Sequence, residues 1–383
     1  MRSSECRMTA ALVQRGVFRE APFGLIDVGA SGGIAPQWLM FGNDLRAIGL
    51  DPLVIECERL NRESRSPNVS YKACFVVSKD PVDHVPDDMT ADPARSKDNY
   101  WIARSSSAEA LRLLGMDFAD YAREQYNRGE PMRHSEERIS LDEFCSVRPE
   151  LRPNFLKVDT DGSDLQVLRG GRQLLRSSDM LGVAIEANLH GPIHPAANTW
   201  PHIDTLLREC GFTLFDMSLW RFSRAALPAK FVYEVPAQTV RGQVLWGDAL
   251  YFRDLGAPNH DAMWGTDPDA LGVLKLACLF ELYDLEDCAA ELLRQRENLL
   301  SSIVEVAPLL DLLTPCVDGE AVGYQRYIEL FQTGPRRFLP SSPLRIDLKP
   351  APRRRWRQLR GAVSHLREAG REVRRAIRAL DPR

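Results

Sequence analysis

Residues 23–33 read FGLIDVGASGG. The first six are apolar except for Gly24 and Asp27, the composition of a strand buried on both faces. The run stops at a turn carrying Gly29, Gly32 and Gly33. Outward from this point the chain alternates strand-like and helical patterns. Further strands are predicted at 45–50, 69–77, 154–158, 181–185, 212–215 and 249–252. Helical character lies at 53–61, along the apolar face of Leu165, Leu168, Leu174 and Leu175, and at 203–210 before Gly211. Such alternation predicts a doubly wound α/β domain, a mainly parallel sheet covered on both faces, within residues 1–258.

Two stretches break the rhythm. About 75 residues separate the third and fourth predicted strands, far more than the roughly 2–6 usual in α/β connections. An insertion is therefore expected at about 78–138, with helices at 107–114 and 118–128, beside the sheet's carboxyl edge where a lid would sit. After the α/β domain a helical subdomain is expected over 259–334, with helices at 270–282, 285–303 and 323–331. A proline-rich linker follows at 335–352, and a basic amphipathic helix at 353–383.

Composition narrows the class. The 383 residues are 44% hydrophobic and 27% charged, which fits a folded protein and excludes a disordered or collagenous one. No apolar run approaches the ~18–20 residues of a membrane span. The N-terminus lacks the continuous apolar stretch of a secretory signal. Eight cysteines without a C-x-x-C pair argue against zinc ribbons and disulfide frameworks, and a cytoplasmic setting is expected. The net charge of -4 divides unevenly. Residues 353–383 hold eleven arginines against three acids, a net +8, which leaves -12 on the body. The acidic body gives no electrostatic reason to expect nucleic acid.

The glycine turn carries the chemistry. Glycines after a strand let the backbone pass close to a ligand. A dinucleotide fingerprint counted from Gly29 needs glycines where Ser31 and Ile34 stand, so that register fails. The spacing from Asp27 through Gly29 to Gly33 instead resembles the first motif of S-adenosylmethionine-dependent methyltransferases. A carboxylate there suits the ammonium of that cofactor, and the expected binding residues are Asp27, Gly29, Ser31, Gly32, Gly33 and Asp51. Asp51 lies 22 residues beyond Gly29, at the end of the second strand. Its acceptor-only oxygens suit a ribose diol.

The fourth strand leads into KVDTDGSDLQVLRGG at 157–171, preceded by SLDEF at 140–144 and followed by IEAN at 185–188. Together with the glycine turn and the Asp51-Pro52 pair, this run resembles the FkbM-type methyltransferase family. RECGFTLFDMS at 208–218 and GDALYFRD at 247–254 look like the family's closing elements. The resemblance spans about 23–254. Asp161 and Asp164 stand where the family commonly has longer acids or glutamine. It implies an S-adenosylmethionine-dependent O-methyltransferase with a Rossmann-like sheet, acting on a hydroxyl of a saccharide or glycoconjugate. Alignment of methyl and hydroxyl would supply much of the catalysis, helped by a general base. Asp159, Glu186 and His190 are the candidates for that base. No metal is expected. Lys157 alternates away from its apolar neighbours and reads as structural, while Trp101, Trp200 and Trp220 are candidate sugar contacts.

Two other readings stay open. Asp159-Thr160-Asp161 also matches the D-x-D of metal-dependent glycosyltransferases, though this leaves the glycine turn unexplained. Alternatively, the domain is a catalytically inactive, membrane-peripheral interaction protein. In the tail, Trp356, Leu359, Val363, Leu366, Gly370, Val373, Ile377 and Leu380 recur at intervals of three and four, one helical face opposite arginines. That pattern suits an anionic membrane surface at the inner face of the cell membrane, or self-association through the helix.

Overall fold

The structure is a computed structural model and describes residues 6–84, 133–160, 162–232 and 238–339. The predicted helices at 107–114 and 118–128, Trp101, Asp161 and the basic segment 353–383 lie outside the described residues. Strands are β1 Phe23–Val28, β2 Leu45–Asp51, β3 Val69–Ala73, β4 Phe75–Val76, β5 Arg138–Ile139, β6 Phe155–Val158, β7 Gly182–Asn188, β8 Thr213–Phe222 and β9 Gln243–Phe252. Seven form one sheet in the order β3-β2-β1-β6-β7-β9-β8. All pairings are parallel except those of β9, which runs against both β7 and β8. The doubly wound Rossmann-like sheet read from the sequence is therefore present, with one reversed strand inserted near its edge. The order reverses between β1 and β6, and ligands of open α/β sheets bind at such a point, beyond the carboxyl ends of the strands.

The third predicted strand is two strands. Cys74 breaks the run, and β4 leaves the main sheet to pair with β5. β5 belongs to the return of the long insertion. Just before it, the amide of Ser135 donates to the carbonyl of Pro52, and that of Val54 to the carbonyl of Arg133. The insertion thus comes back along the loop that follows Asp51.

Each face of the sheet has its own core. On one, Ile26, Val28, Leu156, Val158, Val183 and Ile185 pack against helices α4 Asp164–Arg169, α5 Arg172–Arg176 and α6 Trp200–Glu209. On the other, Phe23, Leu25, Phe155 and Phe252 meet the helices after residue 259. The Tyr283 ring stacks on Phe155 with centroids 5.3 Å apart, and Phe280 lies edge-on to Phe252 at 4.9 Å. The helical segment expected over 259–334 therefore shares a core with the sheet. Its helix Ala270–Leu282 is buried continuously from Val273 to Leu282, being wedged among neighbours. The helix predicted at 285–303 is interrupted at Arg296, whose guanidinium turns away to grip Asp261 and the Leu255 carbonyl.

Val306–Leu313 and the first helix, α1 Arg7–Gln14, are among the elements that had no counterpart in the sequence reading. Fully buried Glu281 caps α1 from across the molecule, accepting from the amides of Met8 at 3.0 Å and Thr9 at 2.7 Å and from the Thr9 hydroxyl. A carboxylate at a helix N-terminus satisfies amides that have no partner within the helix. All eight cysteines are free thiols. Among the described residues no helix is long and apolar enough to cross a membrane.

Candidate active site

The glycine turn closes over the switch point. The amides of Gly29 and Ala30 both donate to the carbonyl of Leu50, at 2.8 and 3.3 Å, which ties the turn to the end of β2. Gly29 has φ +79°, and a Cβ there would overlap the carbonyl oxygen of Asp159. The loops after β1 and β6 are thus in backbone contact, and glycine is what permits it. Farther round, the Gly32 amide donates to Glu56 Oε1 at 3.0 Å, and the Ile34 amide to the Tyr71 hydroxyl at 3.0 Å. Glu56 is fixed by Arg59 at 2.6 Å. The Ser31 Oγ is buried and has no hydrogen-bond partner among the described residues. A turn built this tightly around a partnerless hydroxyl fits a ligand that supplies the missing contact.

Strand alternation places Asp27, Lys157 and Asp159 on one face, and Lys157 joins them. Its Nζ lies 3.0 Å from Asp27 Oδ1, 3.5 Å from Asp159 Oδ2 and 3.3 Å from the Gly29 carbonyl oxygen. The lysine read as structural from the sequence is therefore the central cation of this constellation. Its place was legible in outline, because alternation sets residues 157 and 159 on the same side. Asp27 is 3% exposed, and burial pushes its carboxyl up to about 6 from the ordinary 3.8, against the pull of Lys157. A raised carboxyl pKa means that the folded state holds the proton more tightly than the unfolded state. The associated stability is present below about pH 4 and is lost as pH rises through about 6. Its upper limit is about 3 kcal/mol. Relative to Asp27→Asn, the wild-type protein should lose stability between pH 4 and pH 7 in urea unfolding. A difference that is flat with pH would contradict this assignment.

Asp51 is 7% exposed. Its Oδ1 accepts from the Leu53 amide at 2.8 Å, and the backbone of Ser31 also donates to its carboxylate. Burial is the main cause of its raised pKa. Two of the roughly four lone-pair sites of a carboxylate are therefore spent on the chain itself, leaving acceptor capacity for a diol.

The base candidates occupy different settings. The Asp159 side chain is 42% exposed at the mouth of the switch point. Glu186 is half-buried on β7, on the same face, opposite Asp248 of β9. His190 is held by its Nε2, 2.8 Å from the Val244 carbonyl oxygen. That contact needs the proton on Nε2, so the lone pair of the neutral ring sits on Nδ1. Asp164, in the motif after the fourth strand, is fully buried. It accepts from the amide and hydroxyl of Thr160 and from Asn198 Nδ2, which makes it a strut between the β6 and β7 loops. Trp200 is likewise structural, its indole donating to the Tyr251 hydroxyl. Trp220 stacks on Trp246 and donates to Asp248 Oδ2 at 3.0 Å. Glu56, Tyr71, Asn188, Trp246 and Asp248 all line this region, and sequence reading had singled out none of them. Among the described residues no group of His, Cys, Asp and Glu is arranged to hold a metal ion.

The model of the methyltransferase FkbM domain matches residues 54–214. No curated protein matches the chain. Among solved structures, a TehB-like SAM-dependent methyltransferase from Corynebacterium glutamicum is 11% identical. That match covers 64% of this chain and 87% of the other, with a TM-score of 0.24. Sp1610 of Streptococcus pneumoniae, in complex with S-adenosyl-L-methionine, is 10% identical over 78% of this chain and 100% of the other, TM-score 0.27. The 1,6-didemethyltoxoflavin-N1-methyltransferase of Burkholderia thailandensis, with bound S-adenosylhomocysteine, is 12% identical over 66% and 79%, TM-score 0.25. Scores this low carry no argument, and the fold rests on the strand order. The matched segment runs from α2 Val54–Glu63 to the start of β8, and the parallel sheet sets the glycine turn directly against it. Over residues 54–214 the chain is therefore similar to the methyltransferase FkbM domain.

Proposed function

We propose that this protein methylates a hydroxyl group of a saccharide or glycoconjugate. The observation that carries the reading is the contact of Gly29 with Asp159 at the switch point, with the partnerless Ser31 hydroxyl and buried Asp51 beside it. When bound, S-adenosylmethionine supplies a methyl group on a positively charged sulfur. Gly29, Ser31, Gly32 and Gly33 would line its methionine end, and Asp51 would accept from its ribose. Lys157 already balances Asp27, so that carboxylate shapes the turn through the lysine and is not a free counter-ion for an ammonium.

Because charge disperses as the methyl moves, the protein's main task is to align the acceptor oxygen. That oxygen forms its new bond to carbon and gives up its proton. Asp159 is the acceptor of that proton in this reading, its side chain being 42% exposed and beside the turn.

Calorimetric titration with S-adenosylmethionine tests the reading. Saturable binding is expected, weakened about tenfold or more in Asp51→Ala, since a hydrogen bond to a charged group is worth about 1.5–3 kcal/mol. Mass spectrometry with labelled cofactor and candidate glycans should then show the methyl group on an acceptor oxygen. Folded wild-type protein that binds no cofactor would reject the proposal.

A further inference from the structure

Two loops extend the carboxyl edge of the sheet beyond the switch point. β7 and β8 both end at this edge, because each runs antiparallel to the β9 that separates them. The loop after β7 covers 189–199, and the connection from β8 to β9 covers 223–242, of which 223–232 and 238–242 are described. Hydrogen bonds fix both segments. The Leu189 amide donates to the Leu245 carbonyl at 3.0 Å, the Thr239 amide to the Arg221 carbonyl at 2.9 Å and the Val232 amide to the Gln238 carbonyl at 2.9 Å. The Ala229 amide donates to Ser223 Oγ at 3.0 Å.

On this frame the sequence sets apolar side chains in solvent. Ile193 is fully exposed and Leu227 is 83% exposed, and Phe231 and Val240 are exposed as well. One such residue alone needs no explanation, but several on two loops at one edge mark an interaction surface. Cations stand among them. Arg224, Lys230 and Arg241 are exposed, and among the described residues their side chains have no ion-pair partner. Segment 189–199 holds no Asp or Glu, and segment 223–242 holds only Glu234. The loops are therefore net positive on a body that is otherwise acidic.

We infer that these two loops dock the protein on an anionic lipid bilayer. Ile193, Leu227 and Phe231 enter the boundary between headgroups and acyl chains, while Arg224, Lys230 and Arg241 meet the anionic headgroups. Apolar burial and attraction to anionic lipid add in such binding. Long basic side chains suit the boundary, since their stems lie along apolar surface while the charge stays among the headgroups. Tips as exposed as Ile193 and Leu227 need a matching pocket on a protein partner, whereas a fluid bilayer yields to each of them. Docked in this way, the edge that carries the glycine turn and Asp159 faces the membrane. The inference does not depend on the methyltransferase reading, and it uses no residue of the basic segment 353–383.

The test is co-sedimentation of the full-length protein with phosphatidylcholine vesicles that contain either no phosphatidylserine or about 30% of it. Wild type is compared with Leu227→Ser/Phe231→Ser and with Arg224→Gln/Lys230→Gln. Wild type should partition onto the anionic vesicles, and each double variant should do so about tenfold or more weakly. Ile193→Ser, in the other loop, should weaken partitioning too. The basic segment is the same in every protein, so the ratios between them read the loops alone. Urea midpoints should match wild type, because the altered side chains are exposed. Wild type that stays in solution, variants that sediment as wild type does, or equal binding to neutral vesicles would each overturn the inference. Self-association of wild type that the variants lose, without vesicle binding, would mark a protein-binding surface and overturn it as well.

Discussion

Gly29→Ala is expected to destabilise the protein by about 2–5 kcal/mol. The left-handed backbone at φ +79° costs an alanine about 1–2 kcal/mol. Overlap of the new Cβ with the Asp159 carbonyl oxygen adds about 1–3 kcal/mol, because the obstacle is backbone and not a side chain that can swing away. Relief requires the β6 loop to retreat from the β1 turn, so cofactor affinity should fall at least tenfold as well. Gly32→Ala is the control. Gly32 has a similar φ of +82°, but a Cβ there meets nothing within 4 Å, so only the backbone cost of about 1–2 kcal/mol remains. Urea unfolding and calorimetric titration of both variants check this. Equal losses in the two would show that the contact between the β1 and β6 loops does not constrain the turn.

Removing the central cation should have the second large effect. Lys157→Met leaves Asp27 buried without its counter-charge, and breaking a buried pair from one side costs about 3–5 kcal/mol. Asp27 can avoid part of that penalty by taking up a proton, since its pKa already stands at about 6. The expected loss is therefore about 2–4 kcal/mol at pH 8 and clearly less at pH 5. Adding Asp27→Asn removes the stranded carboxylate and should recover most of the stability at pH 8. A loss that is the same at both pH values and not recovered by the second substitution would mean that Lys157 contributes through packing alone.

Much of this was legible in the chain, for identifiable reasons. The strand Phe23–Val28 and its glycine turn read correctly because a fully buried parallel strand is an apolar run and because glycine marks the place where two loops touch. The fourth and fifth strands were equally plain. By contrast, β8 and β9 were read at four residues each, and both are ten long. Their upper halves carry Asp216, Ser218 and Trp220, or Trp246 and Asp248, and polar residues at a sheet edge weaken the strand pattern. The insertion of reversed β9 between β7 and β8 is a non-local choice that no local pattern records.

Side-chain partnerships were harder to read than strands. Alternation set Lys157 and Asp159 on one face, but only the pairing of Asp27 with Lys157 across β1 and β6 brought Asp27 to them. Asp164 stands within the motif that follows the fourth strand. Its lone pairs are taken by Thr160 and by Asn198, 34 residues away.

The clasp of Glu281 on the first helix also imposes an order on synthesis. Thr9 leaves the ribosome 272 residues before the carboxylate that receives its amide. At about 5–20 residues per second this is a wait of roughly 15–55 s. For that interval the opening helix has no cap from its distant partner, and the nascent sheet has one face uncovered. The final step of maturation is then the arrival of the late helices, which seals both at once.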